Sequence, residues 1–380
     1  MLDRPLLSVP DAALEDLRAR LRAARLPRAW PGVAPWAAGT EPAELRRLVT
    51  YWAEGFDWRA REAELNALPS HFADIDGTPV HYLRFDAERA DALPLVLTHG
   101  WPSSVLELVP LARRLAEPTR HGGEPRDAFT VIVPSLPGYA FSPPRPAPGG
   151  PQQTHEVWHR LMREHLGFAR YGAHGGDLGA GITARLAEAY PEEVTGIHVL
   201  AVPAPAEPRD LDAEERAYLD EVARWQRSEG GYQHEQSTRP LTLSPALADS
   251  PAGLLAWLVE KYRAWTDGGG GPGAGLSDDY VLTQASLYWF TDTISTSFLP
   301  YWEYDQGLTR RVTRAPVPAG VAVFPADLTR PPRRWAERTL DVARYTVMPR
   351  GGHFAAWEEP ELLAEDLRAF FRERRGTAAS

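Results

Sequence analysis

The chain has 380 residues, with 43% hydrophobic residues, 24% charged residues and a formal net charge of −10. That length builds one large core with added elements, or two domains, and the composition is that of a soluble globular protein. The acidic charge speaks against a nucleic-acid surface or a polybasic membrane patch, and the absence of cysteine removes disulfides, thiolate metal sites and a Cys nucleophile.

The start, Met1 to Pro10, has no long apolar run, and no stretch approaches the roughly 20 apolar residues of a membrane span. The expectation is a cytoplasmic protein without signal peptide or membrane contact. Leu14, Leu17, Leu21 and Ala24 predict a helix over 11–26 with Asp11 as its N-cap. A second helix is predicted from Pro42 to Phe56. The aromatic stretch from Tyr51 to Asn66 reads as packing of an N-terminal arm against a larger body.

From Phe72 the pattern changes to strands. Phe72 to Phe85 predicts a hairpin turning at Asp76-Gly77. Pro94 to Thr98 and Phe129 to Val133 read as strands buried on both faces. The first runs into His99-Gly-Trp-Pro-Ser-Ser104 and a helix ending near Leu115; the second runs into Pro134-Ser-Leu-Pro-Gly-Tyr-Ala-Phe-Ser142. A helix over 154–167 leads to a strand that begins at Tyr171. A further strand is predicted over Val194 to Val202. This alternation of strands and helices predicts a mostly parallel sheet with helices on both faces. It stops near Pro203. Residues 205–300 read as mostly helical, an inserted lid, with Gly268 to Gly275 as a loop. Strands return at Val317 to Phe324 and Tyr345 to Met348, before a last helix over Pro360 to Arg374.

The centre of the pattern is Gly175-Gly-Asp-Leu-Gly179. It has the form of the strand-to-helix elbow of an α/β hydrolase, with Asp177 in the nucleophile position. Two more polar residues sit just past predicted strands, Asp327 and His353. The strand C-terminal edge is where catalytic groups of parallel sheets collect, and nucleophile, acid, His is the α/β-hydrolase order. Glu303 and Asp305 are rivals for the acid. A carboxylate nucleophile suits an sp³ carbon with a leaving group and yields an alkyl ester. Water activated by His353, itself oriented by Asp327, would then hydrolyse that ester. The backbone N–H groups of Trp101 and Leu178 are the expected oxyanion donors.

The motifs resemble the microsomal-type epoxide hydrolases in their soluble bacterial form. Asp57-Trp-Arg, Glu64-Leu-Asn66, His99-Gly-Trp-Pro102, Pro137-Gly-Tyr-Ala-Phe-Ser142, Gly175-Gly-Asp177, Gly231 to Pro240, Asp249 to Leu254 and Gly351-Gly-His-Phe-Ala-Ala356 carry the resemblance over most of the chain. It implies an α/β-hydrolase fold with an N-terminal arm (1–90), a core in two parts (91–204 and 306–380) and a helical lid (205–305). It also implies two lid tyrosines that serve the leaving oxygen. Tyr232 matches the first and Tyr301 the second, with Tyr288 and Tyr304 nearby. The implied reaction converts a small-molecule epoxide and water to a vicinal diol without cofactor or metal. Assembly into a homo-oligomer is left open. One departure is Leu178, where the family usually has Trp.

His155-Glu-Val-Trp-His159 spells a zinc-protease signature, but no third ligand is placed, and His174 beside the elbow reads as packing. A haloalkane dehalogenase is the nearest enzymatic alternative; it would use an indole after the nucleophile, which Leu178 lacks. A catalytically silent binding protein of the same fold is the other.

Overall fold

The computed structural model describes residues 5–150, 152–206, 208–268 and 276–374. Of the predicted glycine loop, residues 269–275 lie outside the described residues. The apolar runs form eight strands: β1 (Ser70–Ile75), β2 (Thr78–Phe85), β3 (Leu93–Thr98), β4 (Phe129–Pro134), β5 (Tyr171–Gly175), β6 (Val194–Val199), β7 (Ala315–Val323) and β8 (Leu340–Val347). They make one sheet in the order β1-β2-β4-β3-β5-β6-β7-β8. β1 and β2 pair antiparallel, as do β2 and β4; every other neighbouring pair is parallel.

The hairpin turns where expected, with Asp76 and Gly77 both at positive φ. This left-handed pair matches the twist of the two strands. Leu95, Val96 and Leu97 are fully buried, as are Val131, Ile132 and Val133, because helices cover both faces. β3 lies between β4 and β5, so the connections after β3 and β5 leave on opposite sides of a topological switch point. A crevice opens there, outside the strand C-terminal ends.

The arm has three helices, Asp11–Arg22, Pro42–Glu54 and Trp58–Asn66. Asp11 is not the cap. Pro10 holds that position, and the Asp11 carboxylate pairs with Arg59 instead. The third helix was not predicted, because its sequence lacks an apolar stripe; Asp57 caps it by accepting from the Ala60 N–H at 3.1 Å. The arm aromatics pack on the lid. Trp52 Nε1 donates to Ser286 Oγ at 3.0 Å, and the rings of Trp58 and Phe290 lie 4.9 Å apart.

Between β6 and β7 run the lid helices Ala213–Glu229, Gly231–Thr238, Pro240–Asp249, Pro251–Ala264, Asp278–Thr291 and Leu299–Asp305. The expected helix over 154–167 is α-helical only to Arg160 and continues as a π-turn over Leu161–His165. β6 stops at Val199, three residues short of the expectation, and β8 begins five residues before it. Among the described residues no helix is long and apolar enough to cross a membrane.

Candidate active site

β5 is buried throughout and passes directly into the helix Asp177–Ala189. The turn between them is tight. A Cβ on Gly175 would lie 2.3 Å from the Gly179 carbonyl oxygen, and one on Gly179 would lie 2.1 Å from that of Thr98. Both positions therefore exclude any side chain. Asp177 takes φ +49°, a strained value for a residue with a Cβ. The turn lifts its carboxylate over the sheet edge.

There the carboxylate meets the turn after β3. The Trp101 N–H donates to Asp177 Oδ1 at 2.9 Å, and the Leu178 N–H also hydrogen-bonds the carboxylate. Both expected oxyanion donors thus face the Asp177 carboxylate, Trp101 through Oδ1. Burial raises the Asp177 pKa, while His353 and the two N–H groups act against the rise.

The loops after β7 and β8 are tied together. Ala326 bridges Gly352, and its N–H donates to the Gly351 carbonyl at 3.1 Å. Asp327 Oδ1 accepts from the Leu328 N–H at 2.7 Å and lies 2.7 Å from His353 Nδ1. The His353 N–H donates to the Trp265 carbonyl at 2.8 Å. These contacts aim Nε2 at Asp177 Oδ2, 3.6 Å away. Burial alone would lower the His353 pKa, but the Asp327 and Asp177 carboxylates outweigh it and raise it to about 9. The rival carboxylates are elsewhere. Glu303 is buried against Arg145 and accepts from the Gly149 N–H at 2.9 Å; Asp305 is exposed.

Two lid phenols flank the same turn. The Tyr232 ring stacks on Trp101 at 5.1 Å and 8°, and the Tyr301 ring meets Trp101 edge-on at 6.1 Å. The two tyrosine rings are 6.1 Å apart. Burial, with the Asp177 charge as the next cause, raises both pKa values well above the ordinary phenol value. Both are therefore proton donors at neutral pH. Among the described residues nothing lies in hydrogen-bonding geometry with the buried Tyr301 hydroxyl, although its nearness acts to lower the Tyr232 pKa; a bound oxygen would satisfy it. Tyr288 instead donates to the Ser103 carbonyl at 3.1 Å, and Tyr304 is 46% exposed.

Leu178, next to Asp177 in the chain, lines a pocket whose apolar side includes Leu136, Ile182 and Leu299 and whose polar side includes Arg145, Arg185 and Glu303. On the other side a cavity of about 10 Å³, lined by His99, Glu107, His174, Asp177 and His353, has room for about one water.

Four residues of this neighbourhood were not singled out in the sequence. Glu107 is buried, which pushes its carboxyl up to about 7. Glu358 is raised to about 7, again chiefly by burial, and accepts from the Phe354 N–H at 3.0 Å behind His353. His198 contacts His174 Nδ1 through its own Nδ1 at 3.1 Å and Asp366 through Nε2 at 2.9 Å. His174 thus belongs to a buried polar chain beneath the elbow. The local signal was weak, since each acquires its role only through a distant strand or helix. Of the two histidines in the zinc-like string, His159 Nδ1 lies 2.9 Å from the Tyr171 hydroxyl and the ring stacks on Tyr190 at 3.6 Å. Among the described residues no three His, Cys, Asp or Glu side chains form a metal-holding group.

Residues 4–108 match the family described as "Epoxide hydrolase N terminus", and residues 93–240 match "alpha/beta hydrolase fold". A Stigmatella aurantiaca protein named "Putative epoxide hydrolase" is 43% identical over 97% of this chain and 84% of its own length. Epoxide hydrolase 1 of Sus scrofa is 33% identical over 86% of this chain and 79% of its own length. The solved structure of Aspergillus niger epoxide hydrolase matches with TM-score 0.84 and 32% identity, covering 97% of this chain and 95% of that one. An arm that matches the epoxide hydrolase N terminus, a lid over the switch-point crevice and identity along nearly the whole chain lead to one conclusion: the chain belongs to the epoxide hydrolase family of the α/β-hydrolase fold.

Proposed function

We propose that the protein opens an epoxide on Asp177 and hydrolyses the resulting ester to a vicinal diol. The observation that carries this reading is the division of the Asp177 carboxylate. Oδ1 accepts from the Trp101 N–H at 2.9 Å, while Oδ2 lies 3.6 Å from His353 Nε2. Oδ2 attacks a ring carbon as Tyr232 and Tyr301 donate to the ring oxygen, which needs a proton or a strong hydrogen bond to leave. His353, held by Asp327, then takes a proton from a water that adds to the ester carbonyl. The oxyanion forms on Oδ1, against the N–H groups of Trp101 and Leu178.

The steps use water and ionisable side chains alone, so cofactor independence is part of the proposal; a cytoplasmic location is proposed with it, in keeping with a chain that has no cysteine. The neighbouring Tyr232 and Tyr301 phenols favour an oxygen leaving group over a halide, and Leu178 offers no indole to hold one. A single turnover in ¹⁸O-labelled water is the test. Label is expected in the Asp177 carboxylate and not in the first diol released. Label in the first-turnover diol would mean direct attack by water and would overturn the mechanism.

A further inference from the structure

Of 41 basic Lys and Arg side chains, a single one is a lysine, Lys261. It lies in the lid helix Pro251–Ala264 and is 4% exposed. Its Nζ sits 4.9 Å from the centre of the Tyr232 ring and 5.7 Å from that of Trp265. Glu260 Oε2 lies 2.5 Å from the ammonium and is itself partly exposed. Burying an ammonium is costly unless something compensates it. A plain ion pair with Glu260 could have stayed at the surface. Here the charge is carried inward, onto the face of the phenol beside the nucleophile.

That phenol has a difficult task. As Tyr232 gives its proton to the opening ring, negative charge develops on a ring enclosed by Trp101 and Trp265. Asp177, Glu260 and Glu229 all act against that charge. Lys261 is a cation set directly against the ring, a compact point charge rather than a planar fork. We propose that Lys261 is a positioning residue for ring opening, which acts through Tyr232 by stabilising the charge that develops on it. The proposal rests on the ester mechanism above.

The step balances. The Asp177 Oδ2–carbon bond forms, the carbon–oxygen bond of the epoxide breaks, and the Tyr232 proton passes to the new hydroxyl. Asp177 becomes a neutral ester and Tyr232 carries the negative charge. Hydrolysis then restores the Asp177 carboxylate, and the proton released from water through His353 returns to Tyr232.

The test separates the two chemical steps in rapid-quench and stopped-flow experiments on the whole chain, with styrene oxide as the probe. Lys261→Met is expected to slow ester formation about 30-fold, the rate equivalent of a desolvated cation–π contact. Ester hydrolysis should stay within about two-fold of the unmodified protein, since its oxyanion is held by backbone N–H groups and not by Tyr232. Lys261→Arg should recover part of the loss. Glu260→Gln keeps the cation and removes an opposing carboxylate, so ester formation should hold or rise. A merely structural ion pair would instead lower both steps and the thermal midpoint in Lys261→Met and Glu260→Gln alike. That result overturns the proposal, as does ester formation at the normal rate in Lys261→Met. If Lys261→Met does not fold, Glu260→Gln decides alone: slower ester formation sinks the idea. Failure of the unmodified protein to form any ester would count against the mechanism itself and is read in the same experiment.

Discussion

The Trp101 N–H donates to Asp177 Oδ1 at 2.9 Å, so the resting carboxylate already occupies the cradle that its own ester oxyanion will need. Little has to move between the two steps. Such preorganisation is where most electrostatic rate enhancement comes from, and it also fixes which carboxylate oxygen is the nucleophile. Under the proposed mechanism Oδ2, 3.6 Å from His353 Nε2, is the oxygen that attacks.

The first prediction follows from this division of labour. Asp177→Asn should lose diol formation, because an amide is a poor nucleophile toward carbon. His353→Gln should still open the epoxide but leave the ester standing. Intact-mass spectrometry after mixing with epoxide should then show the protein plus one epoxide. An unshifted mass together with normal diol release would remove His353 from the mechanism.

The second prediction concerns pH. In the free protein, burial acts to lower the His353 pKa, and Asp327 and Asp177 together raise it to about 9. Ester formation cancels the Asp177 charge and with it one of the raising causes. The His353 pKa must therefore fall in the intermediate, which makes a neutral base available. Because the base form is required, ester hydrolysis should speed up as pH rises through that lower value and level off above it. Single-turnover hydrolysis followed by tryptophan fluorescence across pH 5–10 gives the midpoint. A midpoint at or above 9 would contradict the argument.

The elbow and the histidine loop were legible because their signals are local. Glycines crowd a turn whose geometry excludes Cβ atoms at Gly175 and Gly179, and Asp327 and His353 follow apolar runs of strand length. The buried polar groups were not legible. His198 and Asp366 stand 168 residues apart and meet only because β6 lies against the last helix. Lys261 reads in sequence as an ordinary charge on an amphipathic helix. The helix Trp58–Asn66 has three buried residues, Trp58, Glu62 and Leu65, and one of them is charged. Periodicity cannot reveal a face of that kind.

Glu107 supplies the third prediction. Its carboxyl is raised from 4.5 to about 7, with burial the largest cause. A raised acid binds its proton more tightly in the folded protein, so it adds stability at low pH and loses it as pH rises from 4.5 through 7. Above that window the protein carries a buried ionised carboxylate that glutamine would not impose. Glu107→Gln should therefore gain stability over the unmodified protein as pH rises across the window, by up to about 3 kcal/mol. Urea denaturation at pH 5 and pH 8 measures the difference. An equal difference at both values would mean that Glu107 is ionised throughout.

The lid phenols give the last prediction. Tyr232 and Tyr301 are held protonated by burial and by the Asp177 charge, and their rings flank Trp101 from two directions. Each can hold the ring oxygen when the other is absent. Tyr232→Phe and Tyr301→Phe should each slow ester formation by about 10- to 100-fold, within the reach of one positioned acid. The double variant should lose more than the product of the two, because the alkoxide would then form in a desolvated pocket with no donor at all. Rapid-quench measurement of ester formation in all four proteins gives the coupling. Strict additivity would show that the two phenols do not share one oxygen, and an inert Tyr301→Phe would leave Tyr232 as the lone acid.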